Sequence, residues 1–228
     1  MTGPRRPPVA DGLRRSAAHL YVADLEAPEL DDDSRHHVRV LRVAATETVT
    51  LTDGRGRWCM ARVVDGALVE VSDPHTEPGP EMPFTLMVAI PKQSRPELIV
   101  QKATELGVDR IVWLRTRRSV VRWDADRAAR QHQRLERVAL EASLQCRRVH
   151  LPEISGPVDA DEVLGGAAMA EPGGRAMRAE DRVVAIGPEG GWTPEELEAG
   201  AATVSLGPQV MRVETAAIAA CALAAVLI

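Results

Sequence analysis

The sequence predicts an α/β protein in which a parallel sheet with helices follows a small β unit. Two observations lead to this prediction. Strand-like and helix-like patterns alternate from residue 84 to residue 228, which is typical of a parallel sheet. Before them, residues 19–71 hold short segments of alternating polar and apolar residues separated by Asp-Gly turns, which are typical of a small all-β unit.

A proline-rich segment separates the two patterns. Residues 73–83 contain four prolines and a glycine, which indicates a connection without regular structure. The residues before His19 are expected to be flexible. We therefore expect a flexible extension, a β domain, a linker and an α/β domain, with bounds at residues 1–18, 19–74, 75–83 and 84–228.

Individual elements follow from the same patterns. The β domain is expected to contain a short helix around residues 35–41 and strands at residues 48–52, 58–64 and 67–71. In the α/β domain, apolar runs predict strands at residues 84–90, 110–114, 167–170, 183–186 and 203–206. Helices are predicted at residues 96–106, 124–143, 194–200 and 214–228.

A glycine-rich loop, residues 187–191, joins the predicted strand at 183–186 to the helix at 194–200. Thr193, Pro194 and Glu196 have the N-cap, first-turn and capping-box pattern that begins a helix. Backbone N–H groups and a positive dipole end are thus expected at the edge of the sheet, where ligands commonly bind. The loop lacks the P-loop ending and the dinucleotide-binding spacing. A tight turn without a ligand is the alternative.

Residues 203–217 repeat this arrangement. An apolar strand meets a Gly207-Pro208 turn, and a loop carrying Arg212 and Glu214 leads into an Ala-rich helix. Two loops of this kind converge when their strands are neighbours in a parallel sheet. The pair therefore predicts one shared binding site.

The two loops resemble the C-terminal signature of the RsmE family, Ile-Gly-Pro-Glu-Gly-Gly followed by Leu-Gly-Pro-x-x-Met-Arg-x-Glu-Thr-Ala. The resemblance runs from residue 19 to residue 228. It departs from the family at Leu144, where an acidic residue is usual, at Gln209, which replaces a common Arg, and at Val213, which replaces a common Thr. Similar blocks occur in order at residues 36–42, 53–54, 92–98, 101–108 and 145–154.

This resemblance implies an S-adenosylmethionine-dependent methyltransferase of the SPOUT class that modifies N3 of a uridine in 16S ribosomal RNA of the small subunit. It also implies a SPOUT-type parallel sheet with a C-terminal trefoil knot, an N-terminal PUA-like β-barrel that helps to hold RNA, and a homodimer. The periodicity by itself does not indicate a knot, which is rare in proteins.

The loops and the resemblance together predict the adenosylmethionine site. Glycines let the backbone approach the ligand, and apolar side chains form the walls. No metal is expected. The predicted cofactor-binding residues are Ala170, Glu171, Ile186, Gly187, Pro188, Glu189, Gly190, Gly191, Leu206, Gly207 and Met211.

Arg212 and Glu214 are the candidate catalytic residues. Arg212 stays protonated, so it would stabilise a uridinate oxygen or bind a phosphate. Glu214 would accept the N3 proton, directly or through water, or it would stabilise the N-terminus of the last helix. We slightly favour the structural role for Glu214.

The charge distribution predicts a localised contact with RNA. The net charge is −5, but residues 110–150 contain eleven arginines and four acidic residues. For residues 127–137, a solvated helix face with intrahelical ion pairs is an equal alternative. Residues 115–118 have no acid nearby in sequence, which favours RNA. The predicted RNA-binding residues are Arg35, His36, Arg39, Arg42, Lys92, Arg95, Lys102, Arg115, Arg117, Arg118 and Arg148.

The composition argues against several other classes of protein. No apolar run reaches the ~18 residues that a membrane span requires. Three widely separated cysteines give neither a metal-binding spacing nor a disulfide framework, so we expect a cytoplasmic location. Aromatic residues make up 3% of the chain, which is too few for a platform that stacks bases.

Two other functions stay open. One is a SPOUT enzyme that methylates a ribose 2′-oxygen in transfer or ribosomal RNA. The other is a non-catalytic RNA-binding assembly factor that has lost cofactor binding. The β unit and the central lysine-containing blocks argue against the first, and the intact Gly-Pro loops with Arg212 argue against the second.

Overall fold

The structure, a computed structural model, describes residues 10–92 and 95–228. The start of the predicted extension, residues 1–9, and the family-like Gln93 and Ser94 lie outside the described residues. The described chain divides into two compact units. The smaller one extends to Pro80 and includes Leu140–Leu151, and the larger one comprises residues 81–139 and 152–228.

A mixed sheet forms the smaller unit. The described elements are α1 (Asp11–Arg15), β1 (His19–Tyr21), α2 (Asp32–Leu41), β2 (Val49–Thr52), β3 (Arg57–Val64), β4 (Ala67–Val69) and β5 (His75–Thr76). Strand β1 pairs with β2 in parallel, whereas β3 pairs with β2, β4 and β5 in antiparallel. Leu20, Leu51 and Cys59 lie in its buried core.

The smaller unit extends beyond its predicted bounds at both ends. The expected flexible extension includes α1, whose Leu13 is 1% exposed and packs against Trp58 and Val149. The expected linker includes β5, and the ring of His75 stacks on Trp58 with a centroid distance of 4.7 Å. These segments are too short to show a periodic pattern, so their role depends on contacts that are distant in sequence.

A parallel sheet forms the larger unit, which confirms the predicted α/β class. Its strands are β6 (Thr85–Ala89), β7 (Arg110–Arg115), β8 (Glu153–Asp159), β9 (Ala168–Ala176), β10 (Val183–Ile186) and β11 (Ala202–Ser205). Within the described residues, these six strands follow the order β11-β9-β10-β6-β7-β8, and each neighbouring pair is parallel. Strand β8 was not predicted, because Gly156 and Pro157 interrupt its apolar pattern.

Helices lie between most of the successive strands, and one more follows the last strand. They are α3 (Arg95–Glu105), α4 (Ala125–Gln145), α5 (Ala160–Val163), α6 (Pro194–Ala199) and α7 (Val213–Leu227). Helix α4 contributes its last residues, from Leu140, to the smaller unit. Helix α7 contacts α3, β6 and β10, and small side chains allow this close packing. The buried residues of α7 include Ala217, Ala220, Cys221 and Ala224.

His19 is a buried titratable group in the core of the smaller unit. It is 2% exposed, and its Nδ1 lies 2.8 Å from Oγ1 of Thr50. Burial lowers the pKa of His19 from 6.5 to about 4, because removal from water disfavours the charged imidazolium. The folded protein therefore holds His19 in its neutral form.

This burial predicts a loss of stability in mild acid. The unfolded chain binds a proton on His19 near pH 6.5 and the folded chain only near pH 4, so stability falls as the pH drops through this window. Between about pH 7 and pH 5, the free energy of unfolding should fall by about 2 kcal/mol more in the wild type than in His19→Gln. Urea denaturation at both pH values measures the difference, and an equal loss in the two proteins would contradict it.

Candidate functional site

A cavity of about 240 Å³ lies in the larger unit, at the loops that follow β10 and β11. Its lining residues come from three segments, residues 170–172, 186–192 and 205–216. The two loops therefore converge as predicted. Their strands are not direct neighbours, however, because β9 lies between β10 and β11 and supplies the third segment.

Strand β9 reaches the cavity because its pairing with β11 is interrupted. Thr203 of β11 pairs with Met169, whereas the next residue, Val204, pairs with Arg175. Residues 170–174 therefore leave the ladder between these two pairs, as in a large bulge. This excursion carries Glu171 and Pro172 to the wall of the cavity.

The structure brings the predicted cofactor-binding residues together, with one exception. All of them line the cavity except Gly190, whose carbonyl accepts a hydrogen bond from Arg118. Several lining residues were not among the predicted ones, because they lie next to the glycine motifs or on the first turn of α7. These residues are Pro172, Trp192, Ser205, Gln209, Val210, Val213 and Ala216.

Trp192 fixes the floor of the glycine loop. It is 4% exposed, and its Nε1 donates a hydrogen bond to the carbonyl of Ala170 at 3.2 Å. A Cβ atom on Gly187 would lie 2.9 Å from the Trp192 ring, so this close approach requires glycine. The sequence could have indicated this contact, because Trp192 lies directly between the glycine loop and the helix N-cap Thr193.

The predicted start of α6 is confirmed. Thr193 Oγ1 accepts from the Glu196 amide at 3.3 Å, and Glu196 Oε2 accepts from the Thr193 amide at 2.8 Å, which forms a capping box. The side chain of Glu196 is fully buried, and its Oε1 accepts from the amide of Arg117 at 2.9 Å. One carboxylate therefore connects the loop after β7 to the N-terminus of α6.

Arg118 holds the same loop from its other side. Its Nη1 donates to the carbonyl of Gly190 at 3.1 Å and to that of Trp192 at 2.9 Å. The two carbonyls bracket Gly191, whose φ of +69° is a conformation that favours glycine. Arg118, predicted to bind RNA, thus stabilises the wall of the cavity.

Arg115 and Arg117 both have acidic partners that lie far away in sequence, so the absence of a nearby acid in the chain does not leave these two charges unpaired. Arg115 makes two contacts with Asp159, at 2.8 and 3.1 Å, and Arg117 lies 3.0 Å from Asp161. The hydrogen bond from Arg115 lowers the pKa of the Asp159 carboxyl. Both acids lie at or after the end of the unpredicted β8, 44 residues away in sequence. Exposed pairs of this kind contribute little stability.

The two candidate catalytic residues differ in their surroundings. Arg212 is exposed and lies between Met211 and Val213, which both line the cavity. The side chain of Glu214 is mostly buried, at 12% exposure, and its Oε2 lies 3.2 Å from Nη1 of Arg95. Arg95, predicted to bind RNA, is therefore held by Glu214, and this pair joins α3 to the first turn of α7.

The remaining predicted RNA-binding residues lie in both units. Lys92 of the larger unit is exposed, and Lys102 is 2.8 Å from Glu105. In the smaller unit, Arg148 is partly buried, and the others lie exposed along α2 and at its C-terminus. The residues of α2 are Arg35, which pairs with Asp32 at 3.2 Å, His36 and Arg39, followed by Arg42.

Two of the three departures from the family pattern affect the cavity directly. Gln209 and Val213 line it, and Val213 is 4% exposed, so an apolar surface replaces the usual hydroxyl there. Leu144 is partly buried near the end of α4, in the smaller unit.

Several other chemistries find no support among the described residues. In residues 10–92 and 95–228, no group of three or more His, Cys, Asp or Glu side chains could hold a metal ion. No helix in the same ranges is long and apolar enough to cross a membrane. Burial raises the pKa of the Cys221 thiol to about 12, so this thiol is not a ready nucleophile.

Comparison with known proteins assigns this chain to the class of RNA methyltransferases. The family model described as the RNA methyltransferase domain matches residues 78–225. The chain belongs to the family of ribosomal RNA small subunit methyltransferase E, which confirms the resemblance in its sequence.

Individual relatives support this membership over most of the chain. It is 33% identical to ribosomal RNA small subunit methyltransferase E of Mycobacterium bovis, covering 82% of this chain and 80% of that protein. It is 28% identical to the Rickettsia conorii protein of the same name, covering 86% and 89%. The crystal structure of the Neisseria gonorrhoeae protein of that name, bound to S-adenosyl methionine, has a TM-score of 0.75 at 29% identity and covers 90% and 95%.

The buried carboxylate of Glu196 predicts a clear effect on stability. Glu196→Ala removes the acceptor of two backbone N–H groups and leaves both unpaired, so it should lower the free energy of unfolding by about 1–3 kcal/mol. Glu198→Ala, an exposed position on the same helix, is the matched control and should have little effect. Urea denaturation of both variants measures the two changes, and similar values would contradict the role of Glu196.

Proposed function

We propose that this chain transfers a methyl group from S-adenosylmethionine to small-subunit ribosomal RNA, at N3 of a uridine. The observation that carries the proposal is that both glycine loops line one and the same cavity. Membership of the family and the S-adenosyl methionine bound to the Neisseria gonorrhoeae relative support the same reaction. The target atom rests on the sequence resemblance to the RsmE family.

The residues of the cavity fit adenosylmethionine. Backbone groups of residues 186–189, of Gly191 and of residues 205–207 supply donors and acceptors suited to an adenine edge and ribose hydroxyls. Ile186, Leu206 and Met211 supply apolar surface for the rings and the thioether chain. When bound, the cofactor supplies a methyl group activated on a sulfonium.

Arg212 is the residue that we assign to the substrate side. It is exposed next to the cavity wall, and its guanidinium carries a positive charge. Loss of the N3 proton leaves negative charge spread over the uracil oxygens. A guanidinium at this position would stabilise that charge and orient the base for transfer.

We propose a positioning role for Glu214, with proton acceptance as the alternative. Its carboxylate binds Arg95, so it fixes α3 against the start of α7, next to Arg212. Glu214→Gln keeps a hydrogen-bond acceptor for Arg95 but cannot take a proton. A variant that retains most of the turnover number supports positioning, and a loss of several orders of magnitude supports proton acceptance.

RNA would bind the smaller unit through α2. Arg35, His36, Arg39 and Arg42 are exposed along this helix and at its C-terminus. Asp31–Asp33 occupy its start, so the groups that suit a phosphate backbone best are Arg39 and Arg42 at its other end. We propose that residues 19–74 form the PUA-like β-barrel that the family resemblance implies. In the larger unit, Lys92 is the exposed candidate from the central block.

We also propose the finer SPOUT features for this chain. These are a trefoil knot that involves α7, assembly as a homodimer and a cytoplasmic location. Helix α7 follows the edge strand β11 yet packs against β6, β10 and α3, a course that supports threading of the chain. Close packing of its small side chains is compatible with such a path.

The direct test is methyl transfer from labelled adenosylmethionine to small ribosomal subunits that lack the modification, followed by nucleoside analysis. The proposal predicts labelled 3-methyluridine in 16S rRNA. A ribose-methylated product would move the reaction to another SPOUT branch. Cofactor binding without methyl transfer to free RNA or to subunits would contradict the assignment of small-subunit ribosomal RNA as the substrate. Absence of cofactor binding would favour a non-catalytic RNA-binding factor.

Arg212→Ala tests the substrate side separately from the cofactor. The turnover number should fall by about 10²-fold or more, because stabilisation of the developing charge is lost. The dissociation constant for adenosylmethionine should change by less than about threefold, since Arg212 does not line the cavity. Steady-state kinetics and calorimetric titration measure the two values, and near-normal turnover would remove Arg212 from the mechanism.

A further inference from the structure

A smaller cavity of about 160 Å³ lies elsewhere in the larger unit, between α4 and the start of α3. It shares no lining residue with the adenosylmethionine cavity. None of its lining residues has a role in the proposed methyl transfer. The lining residues are Pro91, Pro96, Glu97, Trp123, Arg127, Gln131 and Arg134.

One face of α4 supplies the hydrogen-bond donors of this smaller cavity. Arg127, Gln131 and Arg134 are spaced by four and three residues, so their side chains follow each other along the helix. The amide nitrogen of Arg127 donates to Asp124 Oδ1 at 2.8 Å, which fixes the first turn of α4. Two guanidinium groups and one side-chain amide therefore converge on one small volume.

The charges in this smaller cavity do not cancel. Glu97 Oε1 lies 3.0 Å from Nε of Arg134, so the acid compensates that arginine. Within the residues that the structure describes, the guanidinium of Arg127 makes no ion pair. The side chain of Arg134 is 61% exposed, which leaves its terminal nitrogens open to a ligand. The lining carries a net positive charge that favours an anion.

Polar atoms supply most of the surface of this smaller cavity, and a small, rigid apolar border limits the space for the anion. Trp123 is 7% exposed and packs against Trp113 with a ring-centroid distance of 5.6 Å, so its position is fixed. Pro91 and Pro96 complete a rigid apolar border. A volume of about 160 Å³ suits a phosphate with part of an attached sugar rather than a whole base-paired nucleotide.

We propose that this smaller cavity binds a phosphodiester group of the RNA substrate, at a nucleotide that flanks the methylated one. The inference rests on the proposed RNA methyltransferase function and deepens it. The guanidinium of Arg127 would bind two phosphate oxygens in a fork, Arg134 and Gln131 would complete the contact, and the apolar border would hold the ribose. The site contributes register on the RNA rather than chemistry.

Substitution of Arg127 gives the test, since Arg134 is already engaged with Glu97. Arg127→Ala should raise the KM for small subunits and the dissociation constant for the RNA by about tenfold. It should also reduce the slope of log affinity against log salt by about one. The turnover number at saturating RNA and the affinity for adenosylmethionine should stay unchanged.

Two further variants make the result specific. Arg137→Ala removes an exposed arginine of the same helix that does not line the cavity, so it should leave the KM and the salt slope unchanged. Arg127→Lys keeps the charge but loses the fork, so it should weaken binding while the salt slope stays that of the wild type. Equal effects of Arg127→Ala and Arg137→Ala would overturn the proposal.

Direct binding separates this inference from the proposed function. RNA binding by filter retention is measured without methyl transfer. A wild type that binds RNA but transfers no methyl group would contradict the proposed function and leave the phosphodiester site standing. Titration with inorganic phosphate and with uridine monophosphate identifies a site for small anions. Binding of those anions through Arg127, without any effect of Arg127→Ala on RNA, would overturn the phosphodiester site.

Discussion

The larger unit depends on one constraint, namely that the chain must turn from β10 into α6 while its backbone faces a cavity. A loop with unpaired backbone groups would adopt other conformations. The backbone groups that face away from the cavity therefore need hydrogen-bond partners elsewhere in the protein. Glu196 provides one such partner by accepting from the amide of Thr193, and it also accepts from that of Arg117 in the loop after β7. Arg118 donates to the carbonyls of Gly190 and Trp192. The groups that remain are free to bind a ligand in a fixed geometry.

The groups that line the proposed cofactor cavity differ from those that lie next to it. The cofactor cavity is made mostly of backbone and apolar side chains, so it recognises shape and hydrogen-bonding edges more than charge. Two carboxylates, those of Glu171 and Glu189, also line it, and Arg212 is exposed next to its wall. Under the proposed function, adenosylmethionine and RNA would meet at the side of the cavity where Arg212 is exposed, and the methyl group would cross there.

Local features of the site were predictable from the sequence, and distant ones were not. The capping box of Thr193 and Glu196 spans four residues, so its pattern is visible in the chain. The partners of Arg115 and Glu214 lie 44 and 119 residues away, and no local pattern reveals them. Strand β8 was hidden by Gly156 and Pro157, and with it the acid that pairs with Arg115. The fold class was predictable because strands and helices alternate along most of the larger unit.

Titration of adenosylmethionine into the wild type, Gly191→Val and Gly166→Val tests the central claim most directly. Both glycines have positive φ, at +69° and +86°, and neither has a neighbour within 4 Å of an added Cβ, so valine strains both backbones alike. Of the two, Gly191 lines the cavity and Gly166 does not. We predict wild-type affinity for Gly166→Val and no measurable binding for Gly191→Val. Equal affinities in all three proteins would contradict the assignment of the methyl donor to this cavity.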